Sequence, residues 1–201
     1  QSLDVFLAER ILGPLGMVDT AFGLAEDQRS RLEALHVPDP ATRKAVRFDE
    51  LAPVSRAVPS FLSGGGGLVS TADDYLRFCD FLLRQGERNG VRLLSPRTVD
   101  YMTRNHLPGG SDLAGYARSM FAETAYAGVG FGLGFSVVVD PAANKVLTSP
   151  GTFSWGGAAS TGFYVDPVEE VTALFMTQLL PSSTWPLRSQ LTQLVSQAIL
   201  A

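Results

Sequence analysis

The chain has 201 residues, 45% of them hydrophobic and 18% charged, with a net charge of −4. It is long enough to bury a core, and without a basic surface or an acidic tail it offers nothing to track phosphates, so no nucleic-acid partner is expected. No apolar run reaches the roughly 20 residues of a membrane span, and Gln1 to Arg10 is amphipathic rather than an export signal, so the chain reads as soluble, in cytoplasm or periplasm.

Ser2 is placed to cap a helix whose apolar positions Leu3, Phe6, Leu7, Ile11 and Leu12 share one face, and Gly13-Pro14 is expected to end it. Gln1-Ser2 gives that helix no preceding element to pack on, for which a missing upstream half is one explanation. Residues 20–60, with Pro38, Pro40, Pro53 and Pro59, read as a long irregular excursion, expected to wall a substrate pocket. Gly64 to Gly67 then lead into Thr71, which with Asp74 makes a capping-box-like start. Tyr75, Phe78, Cys79, Leu82 and Leu83 give the helix that follows its apolar stripe, and Gly86 stops it. A third helix begins at Ser95-Pro96 and is expected to carry Val99, Met102 and His106 on one face before Pro108 and Gly109-Gly110 break it.

After residue 128 the period changes to alternation. Phe131, Leu133, Phe135, Val137 and Val139 fall on one face of an expected strand, and Gly130, Gly132, Gly134 and Ser136 on a nearly bare one that would let a backbone or ligand come close. A second strand is expected from Val146 through Trp155 to Val165, bent in its glycine-rich middle, and a third over Val171 to Gln178 after the turn Asp166 to Glu170. Trp185, Leu187, Leu191, Leu194, Val195, Ala198 and Ile199 give a closing helix an apolar face suited to covering a sheet. The order of helices, strand meander and helix makes the fold class α+β, divided into a helical region with pocket-wall loops over residues 1–127 and antiparallel strands with a C-terminal helix over 128–201.

Phe153-Ser154-Trp155-Gly156-Gly157-Ala158-Ala159 lies within the strand pattern, ahead of Phe163-Tyr164-Val165-Asp166-Pro167. It resembles the third conserved element of the serine β-lactamase and penicillin-binding-protein superfamily, the K-T-G strand, in the W-G-G form of its esterase members, the family VIII carboxylesterases. Two more stretches agree, in the family's order: Leu12 to Thr20 resembles the linker after the second motif, and Gly65 to Asp74 the glycine turn into a helix. The resemblance spans nearly the whole chain and implies the C-terminal part of a β-lactamase/transpeptidase-like fold.

In that family a serine within S-x-x-K attacks an ester or lactam carbonyl, the lysine and the tyrosine of Y-x-N move protons, and two backbone N–H groups hold the oxyanion. Lys44 and Lys145 are preceded three positions earlier by Ala41 and Ala142, and none of Tyr75, Tyr101, Tyr116, Tyr126 or Tyr164 has Asn two positions later. Both motifs are expected on an N-terminal segment, the chain's implied partner, and the chain alone is expected to be inactive. By the resemblance, the N–H of Ala158 is one oxyanion donor and Trp155, Gly156 and Gly157 contact the substrate, an ester or lactam. Trp155 stands where the family carries lysine, which removes a cation and supplies a flat apolar wall, favouring neutral esters over anionic lactams.

No cofactor or metal is implied: His36 and His106 belong to no ligand-spaced cluster, and the single cysteine, Cys79, lies on an apolar stripe as a small core residue. Asp73-Asp74 reads as a helix N-terminus and Glu169-Glu170 as a solvated turn. The alternatives are a non-catalytic binding member of the same family, and an unrelated α+β scaffold whose last strands and helix need not pack as an antiparallel sheet with one helix across it.

Overall fold

A computed structural model of the chain describes residues 1–51, 58–115 and 126–199; Pro53 and Tyr116 lie outside the described residues. The opening helix forms but does not stop at Gly13-Pro14. Helix α1 (Leu3–Leu7) widens into a π turn (Ala8–Leu12) and continues as α2 (Gly13–Leu15). A proline ring crowds the carbonyl a turn back, and the widened turn relieves this: the Gly13 N–H donates to the Ala8 carbonyl, close enough that a Cβ on Gly13 would lie 2.8 Å from that oxygen. The stop comes at Gly16, whose φ of +71° is left-handed, and the Met17 N–H closes the end on the Leu12 carbonyl at 2.8 Å.

Strands appear earlier than expected. β1 (Ala21–Phe22), β2 (His36–Pro38), β3 (Ala45–Arg47) and β4 (Leu68–Val69) pair antiparallel as β1 with β4 and β2 with β3, so the excursion is only partly irregular. Elements of two or three residues are too short to print an alternation in the sequence. Helix α3 (Ala72–Leu83) forms as expected: the Thr71 hydroxyl accepts from the Asp74 N–H at 3.3 Å, Cys79 is fully buried, and the chain turns at Gly86, φ +85°. A hairpin of β5 (Glu87–Arg88) and β6 (Val91–Arg92) leads to α4 (Pro96–Met102), capped by Ser95. α4 ends before His106, because the chain there runs along a sheet edge: the His106 N–H donates to the Phe131 carbonyl at 2.8 Å. The His106 ring instead packs edge-on to Tyr101 and bonds the Tyr101 carbonyl through Nε2.

The expected strand over Phe131 to Val139 is a hairpin, β7 (Val129–Phe131) and β8 (Ser136–Val138), turned at Gly134, φ +92°. Protein closely approaches its bare face at two positions: a Cβ at Gly130 would lie 2.3 Å from the Asn105 side chain and one at Gly132 2.2 Å from the Met102 carbonyl. After α5 (Pro141–Asn144), the long bent strand is likewise two, β9 (Phe153–Gly156) and β10 (Gly162–Asp166), and β11 (Val171–Phe175) ends short of Gln178. The five C-terminal strands form one antiparallel meander, β11-β10-β9-β8-β7, with the last helix, α6 (Leu187–Ala198), across β10 and β11. The unrelated-scaffold alternative is thereby removed.

The core lies between α3 and the sheet. Cys79, Phe81 and Leu82 meet Phe135, Val137, Phe153, Phe163 and Val165, with Leu12, Leu15 and Met17 closing one side. Phe135 stands edge-on to both Phe153 and Phe163, at 5.2 and 6.3 Å. On the opposite face, α6 presents Arg188, Leu191, Thr192 and Val195, all partly buried, whereas Leu194 is 65% exposed and Trp185 precedes the helix. The helix is thus rotated away from the expected apolar stripe, with an arginine at its first turn facing inward.

Candidate functional site

Strands β9 and β10 pair Phe163 with Trp155 and Gly162 with Gly156, so the Trp-Gly-Gly element closes a hairpin end. Trp155 is 50% exposed and stands edge-on to Phe131 at 5.2 Å, an apolar wall beside the turn. The Gly157 N–H donates to the Thr161 carbonyl at 3.0 Å, and the Ser160 N–H to the Gly157 carbonyl at 3.1 Å, which folds residues 157–160 into a β-turn. Ala158 is exposed at its tip, and no acceptor among the described residues takes its N–H.

This turn is anchored on both flanks by polar contacts. Ser160 is fully buried with a left-handed φ of +70°, and its hydroxyl donates to the Leu179 carbonyl at 2.6 Å. The Leu179 N–H returns a bond to the Ala159 carbonyl at 3.0 Å. That segment is in turn held by β2, since the His36 N–H bonds the Gln178 carbonyl and the Leu180 N–H the His36 carbonyl, at 2.8 and 2.9 Å. On the other flank Arg188 reaches across from α6: its Nε and Nη2 donate to the Thr161 carbonyl at 3.0 and 2.7 Å, and Nη2 also donates to the Gly157 carbonyl. Gly156 is required by this clamp, for a Cβ there would lie 2.4 Å from the Arg188 guanidinium carbon and 2.5 Å from the Thr161 carbonyl. Tyr126 borders the clamp; burial pushes its phenol up, and the Arg188 charge opposes that.

The structure brings the expected residues Trp155, Gly156, Gly157 and Ala158 together at one hairpin end, held by Arg188, Thr161 and Ser160, whose part the sequence reading did not give. A usable signal existed only for Arg188, a charged residue in the first turn of a helix that covers a sheet.

The two other stretches that carry the resemblance, Leu12 to Thr20 and Gly65 to Asp74, meet one another. Asp74, buried at the start of α3, accepts from the Asp19 N–H at 2.7 Å, the Thr20 hydroxyl at 2.9 Å and Arg77 at 3.0 Å, while Thr20 and Ser70 share a 2.7 Å contact. Arg77 also donates to the Gly16 carbonyl. Asp74 therefore does more than line a helix N-terminus: it ties the linker after α2 to the glycine turn.

Neither Cys79 nor Ser154 is set up as a nucleophile. Burial pushes the Cys79 thiol up to about 12, far from the thiolate a nucleophilic cysteine needs. Ser154 is engaged with Ser136, their hydroxyls 2.8 Å apart across β8 and β9. No group of three or more His, Cys, Asp or Glu is placed to hold a metal ion among the described residues, and no helix there is long and apolar enough to cross a membrane.

Helices around an antiparallel meander, with a backbone turn presented at one hairpin end, match the C-terminal part of β-lactamase/transpeptidase-like folds. The chain belongs to the Beta-lactamase family, whose model matches residues 1–197. Protein Rv1367c of Mycobacterium tuberculosis is 41% identical over 176 residues, covering 86% of this chain and 42% of the relative. Esterase EstB of Burkholderia gladioli is 31% identical over 179 residues, 82% of this chain and 41% of the relative. Among solved structures, a mutant of simvastatin synthase LovD from Aspergillus terreus superposes with a TM-score of 0.83 at 22% identity, over 98% of this chain and 50% of that one, which bears on fold alone. The chain thus spans about half the length of the relatives it matches.

Proposed function

We propose that this chain supplies the oxyanion side of a serine hydrolase acting on carboxylic esters through an acyl-enzyme. The Ala158 N–H is one oxyanion donor, Trp155, Gly156 and Gly157 contact the acyl group, and an N-terminal segment with S-x-x-K and Y-x-N is the partner that brings the nucleophile and second donor. The observation that carries this reading is the N–H of Ala158, an exposed residue at the tip of an anchored turn beside the half-exposed Trp155, which no acceptor takes among the described residues. An oxyanion donor must be held in place before charge develops and must be open to the reacting oxygen, and an untaken N–H on an anchored turn supports that reading.

Magnitudes favour a shared site over an autonomous one. A single oxyanion donor is worth about 2.7–4 kcal/mol, whereas losing a serine nucleophile costs on the order of 10⁶ in kcat. The 201-residue chain by itself is therefore expected to hydrolyse nothing.

The test uses the full-length protein. Labelling by a fluorophosphonate probe and faster turnover of p-nitrophenyl butyrate than of nitrocefin are the expected results. Absence of labelling would replace the enzyme by a non-catalytic binding member of the family, and equal rates on the two substrates would remove the preference for esters attributed to Trp155.

A further inference from the structure

We infer that Arg188 is a positioning residue for the oxyanion site: by holding the Gly157 carbonyl, it sets the direction of the Ala158 N–H. This rests on the reading of Ala158 as an oxyanion donor. The two groups belong to one peptide unit, and in a trans peptide the carbonyl and the N–H point in opposite directions. A donor fixed on the Gly157 oxygen therefore aims the Ala158 hydrogen away from α6, toward the exposed side of the turn.

Gly157 leaves that peptide free to rotate unless something holds it. Two donors do: the Ser160 N–H at 3.1 Å and the Arg188 guanidinium. The second is charge-assisted and so the stronger of the two, and it also polarises the amide, which makes the N–H at its far end a better donor. The same guanidinium grips the Thr161 carbonyl through Nε and Nη2, spanning both sides of the turn. That span needs a planar fork, which a lysine ammonium lacks. The Arg188 backbone lies on the inward face of α6, its carbonyl accepting from the Thr192 hydroxyl at 2.9 Å.

The test compares wild-type full-length protein with Arg188→Lys and Arg188→Gln on p-nitrophenyl butyrate, together with inhibition by an alkyl boronic acid, whose tetrahedral adduct mimics the oxyanion. Both variants are expected to lose about 10- to 100-fold in kcat, part of the 10²–10³ that outright loss of an oxyanion donor costs. KM should stay at the wild-type value, and boronate affinity should fall in step with kcat/KM. A purely structural arginine would lower the melting temperature without this kcat-specific pattern. The lysine variant, which retains charge and most of the packing, decides the matter if the glutamine variant fails to fold. Wild-type kcat and boronate affinity in Arg188→Lys would overturn the inference, as would a raised KM at unchanged kcat. A wild-type protein that neither labels with fluorophosphonate nor turns over the ester would overturn the functional reading and this inference together, a result distinct from either of the others.

Discussion

The two ends of the β9–β10 hairpin are built on opposite plans. At the core end Phe153 and its cross-strand partner Val165 are buried against α3 and hold the strands by side-chain packing. At the turn end Gly156, Gly157, Ala158 and Gly162 carry almost no side chain, and the backbone is held by carbonyls bonded to Arg188, Ser160 and their own turn. Packing holds a strand by filling the space around it. Polar anchoring of a bare backbone fixes geometry just as firmly while leaving one side of the chain open, which suits a site where a peptide N–H does the work.

The largest test of that contrast is truncation at each end. Phe153→Ala should cost about 3–5 kcal/mol in urea unfolding, as expected for a buried aromatic. Trp155→Ala, two residues nearer the turn on the same strand, should cost less, about 0.5–1.5 kcal/mol for the edge-on contact to Phe131 on top of its partial burial. Equal losses would show that the turn end is packed too. Adding a methyl group reverses the order of sensitivity: Gly156→Ala drives a Cβ into Arg188 and Thr161 and should cost about 1–3 kcal/mol by overpacking. Gly64→Ala, where nothing lies within 4 Å, should be neutral or up to about 1 kcal/mol stabilising through the unfolded chain.

A pH titration probes the far side of β10. Burial alone would raise the Asp166 carboxyl, but bonds from the Ser149 N–H, the Thr152 hydroxyl and the Glu169 and Val168 N–H groups outweigh it and hold it below its usual value. A depressed folded pKa means the unfolded chain binds the proton more tightly. Its stabilisation is then complete above the unfolded value of 3.8 and is lost as pH falls through the folded one. Wild-type stability should decline over that acid window, and Asp166→Asn should be less stable at neutral pH with a flatter acid limb. Parallel acid limbs would locate the sensitivity elsewhere.

Legibility in the sequence followed the range of the interactions. Helix α3 could be read in full because Thr71, the apolar stripe and Gly86 are all local signals. The strand boundaries could not: Phe131 to Val139 alternates without a break, and only the positive φ of Gly134 shows that the alternation hides a turn. The Trp-Gly-Gly element was legible as a motif, but its anchoring was not, since Arg188 grips the turn through carbonyls, which every residue possesses. Asp74 showed its helix cap in sequence but not its bonds to Asp19 and Thr20, which join segments far apart in the chain.

The smallest effect follows from the rotation of α6. Hydrophobic spacing alone puts Leu191 and Leu194 on one stripe, but the inward turn of Arg188 swings Leu194 toward solvent, leaving it 65% exposed while Leu191 stays partly buried. Leu194→Gln should therefore change stability by no more than about 0.5 kcal/mol. Leu191→Gln gives up part of a leucine's burial against the sheet and should cost about 1 kcal/mol or more. If the two substitutions cost the same, the helix sits in the orientation that its apolar pattern alone would dictate. Arg188 could not then reach the Gly157 carbonyl, and the polar anchoring that sets the turn end of the hairpin apart from the core end would lose its main support.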